Sequence, residues 1–163
     1  MANPKTYVRP TMLNDALTHL QKPDSVALAG GALLLAGLDS DYETIVDLQS
    51  VAELQRIETE GDQLYFGGAV TFQQIIEAPN VPDVLVEAIT RTIPLNRRNA
   101  ISVHDSLITD NPPHEWVAVL VSLVASVSYR TATGESYEKT LRDLLAMDEN
   151  ALSGCIIELL TFA

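Results

Sequence analysis

The chain has 163 residues, enough for one domain with a core of its own or two small lobes sharing one. Hydrophobic residues make up 47% and charged residues 20%, a composition that excludes wholesale disorder. The formal net charge of −12 argues against nucleic acid and membrane partners, since phosphate backbones and anionic headgroups repel such a surface.

Tyr7-Val8-Arg9-Pro10 predicts a short strand stopped by proline. Thr11 is the expected N-cap of a helix with Met12, Ala16, Leu17 and Leu20 on its apolar face, ending before Lys22-Pro23. Val26-Ala27-Leu28 reads as a buried strand running into the turn Ala29-Gly30-Gly31. That turn opens a short apolar helix through Ala36, with Gly37 as its stop. Thr44 to Leu48 is the next strand, and Val51 to Leu54 a helical turn. This order predicts a small βαβ-type lobe with parallel pairing up to about residue 55.

The pattern then changes. Arg56–Glu60 and Gln63–Phe66 flank Gly61-Asp62 and predict a hairpin, and Thr71 caps a helix to Ala78. A helix from Val84 to Thr92 leads into a long irregular stretch, Pro94 to Pro113. Glu115 to Val124 reads as a buried helix, Val127–Thr131 and Glu135–Thr140 as a hairpin around Thr133-Gly134, and Leu141–Leu145 as a short helix. The strand Cys155–Phe162 follows. Hairpin-linked strands with inserted helices predict an antiparallel sheet, from about residue 56 to 163, with helices on one face. The expected fold class is therefore α+β: one domain over residues 1–163, made of two lobes.

Cys155 is the sole cysteine, so no disulfide forms within the chain, and its apolar neighbours predict a buried thiol. With the charged, non-apolar start, this fits a cytoplasmic protein. The apolar runs Val26–Leu38 and Trp116–Val127 fall short of the ~18 residues that a membrane span needs, and both read as core. His19 is expected on the polar side of its helix and His114 near a helix cap. No histidine, cysteine or carboxylate set has metal-ligand spacing, and Trp116 is expected in the core.

Two segments carry candidate chemistry. Leu28-Ala29-Gly30-Gly31-Ala32-Leu33-Leu34 places a glycine pair between a strand and a helix, where bare backbone N–H groups can approach an anion. Arg98-Asn99-Ala100-Ile101-Ser102-Val103-His104-Asp105-Ser106-Leu107 lies in the long irregular stretch, where Arg97, Arg98, Ser102, His104 and Ser106 are placed to meet a polar ligand.

The order of segments resembles the FAD-binding domain of molybdopterin dehydrogenases, as in the medium subunit of carbon monoxide dehydrogenase and the matching domain of xanthine dehydrogenases. Those chains open with Tyr-x-x-Pro, here Tyr7 to Pro10, and a helix ending in Leu, here His19-Leu20. Their Ala-Gly-Gly-Thr-Asp-Leu loop corresponds to Ala29-Gly30-Gly31-Ala32-Leu33-Leu34, and their Ile-Asp-Leu strand to Val46-Asp47-Leu48. A Leu-x-x-Ile step matches Leu54 to Ile57, and Gly-Ala-x-Thr matches Gly68 to Thr71. Their Arg-Asn-x-x-Thr-Ile-Gly-Gly-Asn-Leu loop aligns with Arg98 to Leu107, so the likeness spans residues 7 to 162.

The resemblance implies a two-lobed, PCMH-like fold that binds FAD between its lobes, with the diphosphate over both glycine-rich loops. It implies electron transfer between an iron–sulfur subunit and an acceptor, alongside a molybdopterin subunit. Ala29, Gly30 and Gly31 keep the first loop, Ser102 keeps a hydroxyl in place of threonine, and Glu115 matches an acidic residue that can hold the adenine-side ribose. Ala32 and Leu33 replace a threonine and an aspartate, His104 and Asp105 replace the two glycines of the second loop, and Ser106 replaces its asparagine.

A lost hydrogen bond to a charged phosphate is worth ~1.5–3 kcal/mol. A carboxylate about 5 Å from a phosphate repels it by ~3 kcal/mol at an effective dielectric of ~20. The departures therefore predict FAD binding that is weak or lost, with protonation of His104 offsetting part of the repulsion. Two functions stand side by side: a flavin-carrying electron-transfer module, or a cofactor-free scaffold that keeps the fold. The family's medium subunits carry a further C-terminal domain, so this chain corresponds to a fragment or to a shortened relative. Self-association into a homo-oligomer is expected through the helix Val84–Ile93, whose Val84, Leu85, Val86, Ala88 and Ile89 exceed one core-facing stripe.

Overall fold

The computed structural model describes residues 4–31, 42–109, 111–147, 152 and 154–163. Strands β1 (Thr6–Val8), β2 (Ser25–Leu28) and β3 (Thr44–Asp47) pair in parallel, in the order β1-β3-β2. All four residues of the central β3 are buried, as expected for a parallel strand covered on both faces. Its buried polar end is satisfied: Asp47 accepts from the Tyr7 hydroxyl, from Arg9 Nε at 3.2 Å and from the Gln49 N–H at 2.9 Å. The last of these caps the 3-10 turn Leu48–Ser50.

Helix α1 (Leu13–Leu20) buries Leu13, Ala16, Leu17 and Leu20, the spacing of a single apolar stripe. Its N-cap is Met12 and not Thr11, because the backbone is still extended at Met12. With no side-chain cap there, the Leu13 N–H turns to the Glu53 carboxylate at 3.4 Å, from the 3-10 turn Ala52–Gln55. The short helix predicted through Ala36 lies outside the described residues.

β4 (Ile57–Glu60) and β5 (Gln63–Gly67) form the predicted hairpin around Gly61. Next come α2 (Phe72–Glu77), α3 (Asp83–Thr92), α4 (Leu95–Arg98), α5 (Val103–Ile108) and α6 (His114–Ser122). The hairpin β6 (Ser126–Arg130) and β7 (Ser136–Thr140), the helix α7 (Leu141–Leu145) and β8 (Ile156–Phe162) follow. The strands make an antiparallel sheet in the order β4-β5-β8-β6-β7. β8, the most apolar strand, takes the middle, while β4 and β7 put glutamates on exposed edges, which discourages edge-to-edge pairing.

Phe66, Phe72, Ile89, Trp116, Leu120 and Ile157 anchor the core between this sheet and its helices, and Cys155 is buried there. A second core gathers Leu17, Val46, Leu48 and Leu54 with Ala69 and Ile156, so both sheets contribute to it. The fold is α+β, as the element order predicts.

The stretch from Pro94 to Pro113 is not irregular throughout: it contains α4 and α5. The helix predicted at Glu115–Val124 is α6, and only Trp116 and Leu120 in it are fully buried. His19 is half-buried rather than solvent-facing, with Nδ1 shielded from solvent. Among the described residues, no helix is long and apolar enough to cross a membrane.

Candidate functional site

The segment Ile101–His104 lies antiparallel to Gly68–Phe72. Phe72 N–H donates to Ile101 O (2.9 Å), Val103 N–H to Val70 O (2.9 Å) and His104 N–H to Gly68 O (2.8 Å). These bonds satisfy amides at the start of α5 that have no partner within the helix. Ser102 is the N-cap of α5, its Oγ accepting from the Asp105 N–H at 3.0 Å. α5 is thus locked to the five-stranded sheet before any of its side chains is considered.

The two residues after Val103 then point their polar atoms at two different pieces of backbone. His104, 1% exposed, accepts at Nδ1 from the Ile157 N–H of β8 (3.2 Å). Ile157 sits where the β6–β8 register shifts: Ser128 pairs with Leu159 and Tyr129 with Ile157, a bulge in the ladder. Burial holds the His104 pKa below its ordinary value, with the neighbouring Asp105 charge opposing. An Nδ1 lone pair that receives an N–H also cannot carry a proton, so His104 is a neutral imidazole. The expected charge offset from a protonated His104 is therefore absent.

Asp105 is 0% exposed and reaches across to the three-stranded sheet. Its Oδ1 accepts from the Ala29 N–H at 3.1 Å and its Oδ2 from the Gly31 N–H at 2.7 Å. The glycine turn after β2 is thus an anion-binding nest, and the anion in it is a carboxylate of the same chain. A Cβ on Gly30 would lie 2.8 Å from Ala100 O and 3.1 Å from Asp105 Oδ2, so only glycine admits both neighbours. Gly31 has φ 90°, in the left-handed region where a side chain is strained.

Ser106 does not face the nest. It donates to Val103 O (2.8 Å) and accepts from Trp116 Nε1 (3.1 Å), tying α5 to α6. Glu115, one residue before Trp116, is exposed at the start of α6. Arg98 caps α3 from outside, donating through Nε to Ile93 O (2.8 Å) and through Nη2 to Thr90 O (3.1 Å). Of the residues singled out in the sequence, Ala29, Gly30, Gly31, Ser102, His104 and Asp105 therefore come together; Ala32, Leu33 and Leu34 lie outside the described residues. The sequence reading missed Ile157 and Gly68, whose backbones hold His104, because only the folded chain brings segments so far apart in sequence together.

An antiparallel sheet and a small parallel one thus meet at a glycine nest and a capped second segment. The chain belongs to the family described as the FAD binding domain in molybdopterin dehydrogenase, which matches residues 3–158. FAD is the cofactor of that family.

It is 31% identical over 160 residues to the caffeine dehydrogenase subunit beta of Pseudomonas sp. (strain CBB1), covering 88% of this chain and 54% of that one. It is 31% identical over 135 residues to the nicotine 6-hydroxylase medium subunit of Paenarthrobacter nicotinovorans, covering 78% and 48%. The chain thus spans about half the length of the curated relatives it matches. Quinoline 2-oxidoreductase from Pseudomonas putida 86 shares the fold at a TM-score of 0.87 with 21% identity, over 99% of this chain and 60% of that one. Carbon monoxide dehydrogenase from Oligotropha carboxidovorans does so at 0.85 with 20% identity, over the same shares.

The residues present fit an anionic cofactor in one respect that can be measured. Two backbone donors, Ala29 and Gly31, converge on a pair of anionic oxygens, here those of the Asp105 carboxylate.

Proposed function

We propose that this chain is the flavin-carrying module of a cytoplasmic molybdenum-hydroxylase-type dehydrogenase, relaying electrons beside iron–sulfur and molybdopterin subunits. It acts as a single domain of two lobes, about 1–55 and 56–163, with the cofactor between them. The observation that carries this reading is the convergence of the Ala29 and Gly31 amides on two buried oxygens delivered by α5.

FAD, when bound, supplies reversible two-electron redox chemistry at its isoalloxazine ring. This chain's residues bind and orient it: the Ala29 and Gly31 N–H groups would hold the diphosphate, Ser102 fixes the start of α5 beside it, and Glu115 would take the adenine-side ribose. Neutral His104 puts no charge into the cleft and holds β8 against α5. The homologous chains named as subunits of a dehydrogenase and of a hydroxylase support partner subunits here. Self-association through α3 belongs to the same reading, since Val84 there is 50% exposed.

The test is a titration of the purified chain with FAD, followed by flavin fluorescence and the visible spectrum. The expected outcome is saturable binding at micromolar FAD with one FAD per chain. A chain that leaves flavin fluorescence and spectrum unchanged at millimolar FAD supports the cofactor-free scaffold instead.

A further inference from the structure

We propose that Asp105 is a built-in anion that occupies the diphosphate seat, so that an external diphosphate binds only by displacing it. The proposal rests on reading the Ala29–Gly31 loop as that seat.

Each backbone N–H has one proton to give, and those of Ala29 and Gly31 are both given to Asp105, at 3.1 and 2.7 Å. The two carboxylate oxygens sit on two amides as two oxygens of a phosphate would, and the 2.7 Å bond from Gly31 has the length of a charge-assisted one. Occupation by Asp105 and by a diphosphate therefore exclude each other. The seat is also shaped for this occupant: the missing Cβ at Gly30 is what lets Oδ2 approach.

Asp105 is aimed by its surroundings. Ser102 Oγ holds the Asp105 N–H, Gly68 O holds the His104 N–H, and Ile157 N–H holds the His104 ring. A competitor tethered so firmly acts at an effective concentration of millimolar or more, which raises the apparent dissociation constant of any free rival. Because Asp105 stands on α5, which is bonded to β8 of the five-stranded sheet through His104, and Ala29 directly follows β2 of the parallel one, the same contact links the two sheets. Binding at the seat must therefore loosen that link.

The experiment compares the full chain with Asp105→Ala and Asp105→Asn, titrating each with FAD and, separately, with inorganic pyrophosphate. Asp105→Asn keeps the shape and one acceptor oxygen, which guards against Asp105→Ala failing to fold. The expected result is at least ten-fold tighter binding of both probes by Asp105→Ala, with a smaller gain for Asp105→Asn. In nitrogen–proton spectra, the Gly31 amide should lie downfield in the ligand-free wild type, move upfield in Asp105→Ala, and return when pyrophosphate is added.

Folded variants that bind neither probe more tightly than wild type overturn the proposal. So does a Gly31 amide that ignores the substitution. Pyrophosphate binding that tightens while FAD binding does not leaves the Asp105 role standing and removes the FAD assignment. Tight FAD binding by wild type and variants alike does the reverse.

Discussion

His104 and Asp105 stand where the family resemblance expects two glycines, and each has found a backbone partner of its own. The sequence alone made these two positions stand out. Asp105 was expected to repel a phosphate through space; it accepts from the Ala29 and Gly31 amides. The partners are 74 and 76 positions apart in the chain, so no local pattern could place one on the other. His104 was expected to gain a proton, but burial lowers its pKa and its Nδ1 is an acceptor.

That has a pH consequence. Between the depressed folded value and the unfolded value of about 6.5, the unfolded chain binds a proton that the folded chain refuses. Stability from this residue is therefore full above about pH 6.5 and falls with acidification, by up to ~1.4 kcal/mol per pH unit within the window. Urea denaturation of wild type and His104→Asn from pH 7.5 to 5 checks it. The substitution keeps an acceptor for Ile157 but cannot titrate, so its stability should fall less steeply; parallel slopes would remove His104 from the account.

Helix caps decided which elements could be read. Thr71 and Gln74 form a capping box at α2, with the Thr71 side chain accepting from Gln74 N–H and Gln74 Oε1 accepting from Thr71 N–H. The sequence announced that helix plainly. α5 was lost in a stretch taken as irregular because it has only six residues, too few for a periodic stripe to show. A usable signal was present: Ser102 followed three positions later by the acidic Asp105 is the spacing of a helix start.

Two substitutions test how much these elements depend on such contacts. Thr71→Ala should lower unfolding stability by ~1 kcal/mol, and Thr71→Ser should restore most of it, measured by urea midpoint. Trp116→Phe keeps the ring against Phe72 (centroids 4.7 Å apart) but removes the donor to Ser106. It should cost about 1 kcal/mol. A loss as large as that of Trp116→Ala would show that the retained ring contributes nothing and would overturn the packing role given to it.

Strand pairing changes as the order of elements suggested, parallel up to Asp47 and antiparallel from Ile57. What periodicity could not supply was strand order, since nothing in Ile156–Phe162 says that it will lie between β5 and β6. The apolar excess on α3 is mostly absorbed by the core: Leu85, Ala88 and Ile89 are buried, leaving Val84 as its large exposed group. If self-association uses that face, Val84→Glu should shift sedimentation towards monomer at high protein concentration without lowering the melting temperature. An unchanged distribution would move the contact elsewhere.

The central place of β8 also bears on synthesis. β5 is completed on the order of 90 residues before the strand that pairs with it, which at ~5–20 residues per second leaves its edge waiting roughly 5–20 s. The three-stranded sheet has no such delay, because its partners all arrive within residues 6–47. A nascent chain on the ribosome would therefore carry a folded first third beside an open hairpin, and that interval, not the finished protein, is where a chaperone has most to hold.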